Sequence, residues 1–289
     1  MATTNDLVIR PARPSDRDRV AEMTSDLWDG HDYIARVFDD WVADASSAFQ
    51  AVEVDGVVVG LHRLRPYAPG LMWYEGLRVA TSHQRQGIAR AMLDSAIAEA
   101  REQGFAELRL ATYNEIASHL FESAGFKPLL DIRWWRAPRV EGGEPANMPD
   151  PVEAEKLWKM AASSPGFEMY NGVSADLNGA RNLEAAELGR LASRGMLRVA
   201  PGGRALAGLR RPWSDNVAVA FLAGRGAALR DLLFALRYEA DADGADHVTV
   251  ALPRGHPAAD DMRATGYDFA NAEDTAFIYG LQLKPAANT

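Results

Sequence analysis

An internal repeat constrains this chain more than any other feature. The stretch GFAELRLAT, beginning at Gly104, lies over GADHVTVAL, beginning at Gly244, at an offset of 140 residues. One residue further on the offset becomes 141, and Ala117, Gly125 and Phe126 fall over Ala258, Gly266 and Tyr267. Each copy reads as a helix end, a strand and a short helix closed by glycine. Two unrelated amphipathic units have no reason to share glycine positions, strand polarity and order together, so a degenerate tandem duplication is the better account. A length of 289 residues suits two such units, at about 150 residues per domain.

The first copy can be read element by element. Leu7 to Arg10 is a strand candidate broken by Pro11 and Pro14, and Val20, Met23 and Leu27 then fall at helical intervals. AFQAVEV and VVVGLHRL flank Asp55-Gly56, a hairpin signal because both turn residues need φ > 0. MWYEGLRV is a further strand. From Ile88 onward Ala89, Leu93 and Ile97 are four apart, widened by Met92, Ala96 and Ala100 into a helical stripe that Gly104 stops. ELRLAT is a strand, IASHLFESAG a short helix and IRWWRA one more strand. PRVEGGEPANMPDP, from Pro138 to Pro151, has four prolines and two glycines and reads as a linker. The expected organisation is a domain over 1–138, a linker over 139–151 and a second domain over 152–289.

Composition narrows the function. With 47% hydrophobic and 25% charged residues the chain is of the ordinary soluble globular class. Apolar runs such as Val217 to Ala223 fall short of the roughly 20 residues of a membrane span. MATTNDLVIRP lacks the basic start and apolar core of a signal peptide. The absence of cysteine excludes disulfides, thiolate metal sites and a cysteine nucleophile, and fits a cytoplasmic protein. No two of the six histidines stand at the i, i+4 spacing of a helical metal-ligand pair, so no metal is expected. A net charge of −9 repels nucleic acid and anionic membranes, which leaves a small-molecule partner, with the protein a monomer or homodimer.

Residues 84 to 89 read Gln-Arg-Gln-Gly-Ile-Ala between a strand ending at Val79 and the helix beginning near Ile88. The first turn of such a helix has backbone N–H groups without internal partners. Aimed outward, they form a positive cup for a pyrophosphate, aided by the helix dipole. Gly87 and the small Ala89 let an anion approach, and Arg85 and Arg90 add charge. Alone, this pattern is also that of a plain strand–helix turn with surface arginines.

It is not alone. LRVATSHQRQGIARAML, followed about 25 residues on by NEIASHLFESAGF, resembles the central motif of the GNAT superfamily of acyl-CoA N-acyltransferases. Matching positions are Val79, Gln84, Gly87, Ala89, Asn114, Ala117, Leu120, Gly125 and Phe126. The resemblance covers residues 5 to 138 strongly and the rest weakly, through the repeat. It implies an α/β (α+β) fold of two tandem GNAT-like domains, each a mixed, mostly antiparallel sheet flanked by helices, the second degenerate. It implies acetyl-CoA as cofactor. Backbone groups of Leu77, Arg78 and Val79 would pair with the pantetheine arm, and the loop from Gln84 through Arg85, Gln86, Gly87, Ile88 and Ala89 to Arg90 would hold the pyrophosphate. Asn114 would stand beside the pantetheine, with Ala117 and Phe121 on the following helix.

Acetyl transfer to an amine requires the ammonium to lose a proton and the carbonyl oxygen to meet a donor, here a strand N–H near Leu77 or Arg78. Glu75, two residues before Leu77, is the candidate base; the alternative is a salt-bridged strand carboxylate. Tyr74 and His83 are weaker candidates for chemistry, Tyr74 also for lining the acceptor site. The family's usual tyrosine acid is Phe121 here, which has no proton to give. Either the thiolate leaves unassisted, which its ordinary pKa of about 8.5 permits, or Tyr113 substitutes, or the domain is a poor catalyst. The first is preferred. WDGHDYIARVFDDW, from Trp28 to Trp41, lies where the family's first helices overhang the acceptor, and Asp29, His31 and Tyr33 are its candidate substrate contacts. This segment, with E-G-L-R-V, is similar to the histidine Nα-acetyltransferase-like branch; the tandem arrangement of mycothiol synthase is the alternative within enzymes. In the second half Asn114 maps to Gly255 and Phe121 to Met262, so little or no cofactor binding is expected there. The expected activity is acetyl transfer to a small-molecule amine, an amino acid's α-amine above all, by direct attack in a ternary complex. A non-catalytic acyl-CoA-binding module is the competing class.

Overall fold

The computed structural model describes residues 7–25, 27, 32–176, 179–211, 215–270 and 275–283. Two compact units divide the chain. One comprises the residues up to Leu110, Ile116–Lys127 and the chain from Gly280 on; the other comprises Ala111–Glu115 and Pro128–Tyr279.

In the first unit β1 (Leu7–Pro11), β2 (Ala48–Val54), β3 (Val57–Ala68) and β4 (Leu71–Val79) form an antiparallel sheet in that order. The hairpin between β2 and β3 turns on Asp55 and Gly56, both at positive φ (52° and 79°), as the Asp-Gly pair requires. β5 (Glu107–Thr112) lies parallel to β4. A parallel neighbour needs a crossover, which α3 (Ile88–Glu102) supplies, burying Ile88, Met92, Leu93, Ala96, Ile97 and Ala100. α1 (Arg17–Thr24) and α2 (Ile34–Ala43) add Val20, Met23, Ile34, Phe38 and Trp41 to the core. α4 (Glu115–Ser123) buries Phe121.

The second unit contains β6 (Lys127–Pro138), α5 (Ala154–Ala162), a separate ribbon of β7 (Val173–Asp176) and β8 (Gly179–Asn182), and α6 (Ala185–Ser193). β9 (Leu197–Val199), β10 (Leu206–Arg210), β11 (Asn216–Ala223), α7 (Gly226–Ala242), β12 (His247–Pro253) and α8 (Ala259–Ala264) follow. β13 (Asp268–Phe269) and β14 (Thr275–Gln282) close the chain. The sheet order is β9–β10–β11–β12–β6, with β13 and β14 also pairing β6. Again a parallel pair, β11 with β12, is bridged by a helix, α7. Among the described residues no helix is long and apolar enough to cross a membrane.

The repeated segments share local geometry down to single hydrogen bonds. Gly104 and Gly244 end α3 and α7 at φ 78° and 72°; Gly125 and Gly266 end α4 and α8 at 95° and 82°. The amide of Phe105 donates to Ala100 and that of Ala245 to Ala240; the amide of Phe126 donates to Phe121 and that of Tyr267 to Met262. Left-handed glycine closed by a backward bond of this kind is a helix stop that a side chain at the glycine would strain. The parallel ladders also match. Both run over four pairs, Leu71↔Glu107 to Tyr74↔Leu110 in one unit and Asn216↔His247 to Val219↔Val250 in the other.

Candidate active site

β4 continues five residues beyond its last pair with β5, from Glu75 to Val79, so the two strands part after Tyr74 and Leu110. At the parting β4 carries a bulge: Leu61 of β3 faces Arg78 while Arg63 faces Glu75, which leaves one extra residue on β4. Gly76 makes the bulge possible with φ 71°. A Cβ there would stand 2.8 Å from the Trp41 ring, so α2 packs directly on the bulge. Strand, bulge and helix therefore set the position of Glu75 on one side and of the Leu77–Val79 backbone on the other.

Past Val79 the chain makes a short 3₁₀ turn over Thr81–His83. Arg85 and Gly87 then both take left-handed backbone, φ 60° and 84°, on either side of Gln86. Gly87 is the N-cap of α3 and offers no side-chain cap to its first-turn amides. A Cβ at Gly87 would meet nothing within 4 Å. Backbone conformation and an open approach, not packing, thus call for glycine. Together these features make an anion-binding concavity of N–H groups at a helix N-terminus. Gln84 Nε2 donates to the Val79 carbonyl (3.3 Å) and Gln86 Nε2 to that of Ser82 (3.2 Å), holding the loop. Ile88 is buried and Ala89 half-buried. The Arg90 guanidinium turns to Asp94, at 2.9 and 3.0 Å.

Glu75 is ion-paired. Arg63 Nη1 (3.0 Å) and Arg65 Nε (2.8 Å) both donate to its Oε1. Arg63 is buried, stacks over the Trp41 ring at 4.6 Å, and donates also to Ser47 and Asp44. Bonds from Ser46, Ser47 and Arg63 hold the Asp44 carboxyl at about 2, well below the usual carboxylate range. Across the bulge Arg78 Nε donates to Asp32 Oδ2 (2.6 Å), and Asp32 Oδ1 accepts the Ile34 amide at the start of α2 (2.8 Å). Tyr33 lies 5.6 Å from the Arg78 guanidinium; desolvation, with the negative charge of Glu75 and Asp32, pushes its hydroxyl up to about 12 against the pull of Arg78. The structure thus brings Glu75, Arg78 and Tyr33 together, and each of Asp32, Asp44 and Glu75 faces a guanidinium.

Tyr74 is buried against His62 (ring centroids 5.5 Å) and Phe121 (6.5 Å). Its hydroxyl and both ring nitrogens of His62 have no hydrogen-bond partner among the described residues. Burial raises the Tyr74 hydroxyl and lowers the His62 imidazole to about 4. Phe121, also in contact with Phe126 at 5.9 Å, is a core aromatic. Ala117 is half-buried on α4. Asn114 is exposed and lies in the Ala111–Glu115 piece that groups with the second unit. Asp29 and His31 lie outside the described residues. Gly76, Asp44, Arg63 and Arg65 escaped the sequence reading, and Asp32, in the segment expected to meet the acceptor, is instead paired with Arg78. Only Gly76 had a local signal, a glycine inside a strand pattern.

Residues 17–126 match the model of the acetyltransferase (GNAT) family. An aminoglycoside N(6′)-acetyltransferase type 1 of Klebsiella aerogenes is 30% identical over 146 residues, 45% of this chain and 96% of that protein. The chain belongs to the GNAT acetyltransferase family. The enzyme's fold extends the likeness over its whole length. The crystal structure of a GCN5-related N-acetyltransferase from Sphaerobacter thermophilus matches with a TM-score of 0.63 at 13% identity, covering 99% of each chain. A fungal GCN5-related glucosamine N-acetyltransferase region matches with a TM-score of 0.62 at 13% identity, covering 96% of this chain and 38% of that one. GNAT acetyltransferases use acetyl-CoA in general. The parted strands and the uncapped, glycine-led helix start fit that cofactor, offering strand amides for an extended arm and helix amides for a pyrophosphate.

Proposed function

We propose that this acetyltransferase transfers acetyl from acetyl-CoA to the amine of a small molecule, an amino acid's α-amine of the histidine type, in a ternary complex with the first unit. The observation that carries the proposal is the course of β4, which leaves β5 after Tyr74 and runs on to Val79 before the uncapped start of α3. Acetyl-CoA supplies an acetyl group activated as a thioester. Leu77, Arg78 and Val79 hold its arm through their backbone, and the amides from Arg85 to Arg90 hold its pyrophosphate. Glu75 takes the proton from the incoming ammonium; Arg63 and Arg65, both on Oε1, keep its carboxyl oriented. With no cysteine in the chain, direct transfer is preferred to an acyl-enzyme. Asp29, His31, Tyr33 and Tyr74 are the acceptor contacts in this proposal, Asp29 and His31 lying outside the described residues.

A second reading of the acceptor, an amino-sugar amine, is favoured by the similarity to the aminoglycoside enzyme. The two halves are a tandem duplication in this proposal, supported by the shared glycine geometry and helix-closing bonds, with the second half degenerate. The test is thiol release from acetyl-CoA with amino acids, histidine first, and amino sugars as acceptors. Intersecting initial-rate patterns are expected with one of these classes. Stabilisation by acetyl-CoA with no turnover on any amine would overturn the proposal.

A further inference from the structure

The second unit repeats the scaffold of the first yet keeps the two groups that would face a cofactor busy with its own side chains. β11 leaves β12 after Val219, as β4 leaves β5 after Tyr74, and it too bulges just beyond the parting, at Ala220 rather than one residue later as at Gly76: Phe221 faces Gly208 while Val219 faces Leu209. Counting from the last ladder pair, Ala220 stands where Glu75 stands and Leu222 where Leu77 stands. The Leu222 amide donates to the hydroxyl of Tyr170 (2.9 Å), and Tyr170 is completely buried. At the start of α7 the Gly226 amide donates to Asp261 Oδ2 (2.8 Å). Arg230 donates to the other oxygen, Oδ1 (2.6 Å).

We infer that the second unit is a self-occupied acyl-CoA site: Tyr170 caps its strand amide, and the Asp261 carboxylate stands where a pyrophosphate would lie. A carboxylate on a helix-N-terminal amide and an arginine is the same electrostatic solution as a bound phosphate. An incoming anion must therefore displace a group tethered in place. The inference rests on the first unit being the one that binds acetyl-CoA.

Hydrogen exchange on the full-length protein tests it without any substitution. The Leu222 and Gly226 amides are protected in the free protein and unchanged by acetyl-CoA, whereas amides 85–90 gain protection on its addition. New protection over 222–228 would overturn the inference. A second test titrates inorganic pyrophosphate into Gly87→Glu and into Gly87→Glu/Asp261→Ala, each checked for folding by circular dichroism. The double variant is expected to bind at least about tenfold more tightly than the single variant, the helix start and Arg230 being released. A folded double variant that binds no pyrophosphate overturns the role of Asp261. If Gly87→Glu still binds one equivalent of acetyl-CoA without new protection over 222–228, the reading of the first unit fails instead.

Discussion

Replacing Glu75 by glutamine separates catalysis from the structural work of its ion pairs. In the structure Oε1 takes bonds from two guanidiniums, and the side chain is only 14% exposed. A hydrogen bond to a charged group contributes about 1.5–3 kcal/mol. Glutamine keeps an oxygen that accepts from one of the two donors, and Arg63 retains Asp44 and Ser47. The expected cost is therefore about 1–3 kcal/mol, a fraction of the roughly 5–15 kcal/mol that holds a domain folded. Loss of a general base costs far more in rate, about 10²–10⁴-fold. Glu75→Gln should accordingly stay folded, bind acetyl-CoA with near-native affinity and lose at least about a hundredfold in kcat. Its pH profile should change shape as well: with no base, kcat/KM follows the acceptor's own deprotonation and rises about tenfold per pH unit up to the amine's pKa. Urea unfolding, calorimetric titration of acetyl-CoA and a thiol-release assay over pH 6–9 measure the three quantities. A variant within about threefold of native kcat and with the native pH profile would show that Glu75 is a salt-bridged strand carboxylate and nothing more.

Gly87→Glu should abolish acetyl-CoA binding, whereas Gly87→Ala, which meets no atom within 4 Å but must hold φ 84°, should lose about 1–2 kcal/mol of stability; native affinity in the glutamate variant refutes the anion cup. Gly76→Ala puts a Cβ 2.8 Å from the Trp41 ring at φ 71°, and strain plus overpacking should lower the urea midpoint by the equivalent of about 2–5 kcal/mol; an unchanged midpoint contradicts the tight seat of α2 on the bulge. His62 and His256 are buried, and desolvation lowers each from 6.5 to about 4. The unfolded chain then binds the extra protons, so their contribution is complete above pH 6.5 and is lost as the pH falls toward 4. The slope is at most about 1.4 kcal/mol per pH unit for each histidine. Urea unfolding at pH 7.5, 6 and 5 should show this decline, with His62→Gln removing about half of it; flat stability across that window refutes two buried neutral imidazoles. Asp44 adds to the acid loss only below its ordinary 3.8.

The features legible in the sequence are those written within a few residues of one another. The Asp55-Gly56 turn, the stripe of α3, the glycine stops at 104 and 244 and the glycine before Ile88 each answer a local backbone demand, and each stands in the structure. Charge pairing is different in kind. Glu75 meets Arg63 because β3 and β4 are antiparallel, and the bulge at Gly76 sets which residues beyond it face one another. Arg78 meets Asp32 across 46 residues because Asp32 caps α2, and α2 is seated by Trp41 over the same bulge. A reading along the chain sees Glu75 as a candidate base; the folded protein commits Asp32, Asp44 and Glu75 to arginines. The same limit leaves IRWWRA legible as a strand but hides its partner: β6 pairs with β12 from His247↔Pro138 to Pro253↔Ile132, joining segments more than a hundred residues apart. It also hides Tyr170 and Asp261, unremarkable in sequence yet placed by the fold on two amides of the second unit. A loop motif can therefore identify where an anion is able to bind. Whether the chain has already supplied that anion is a question of tertiary register.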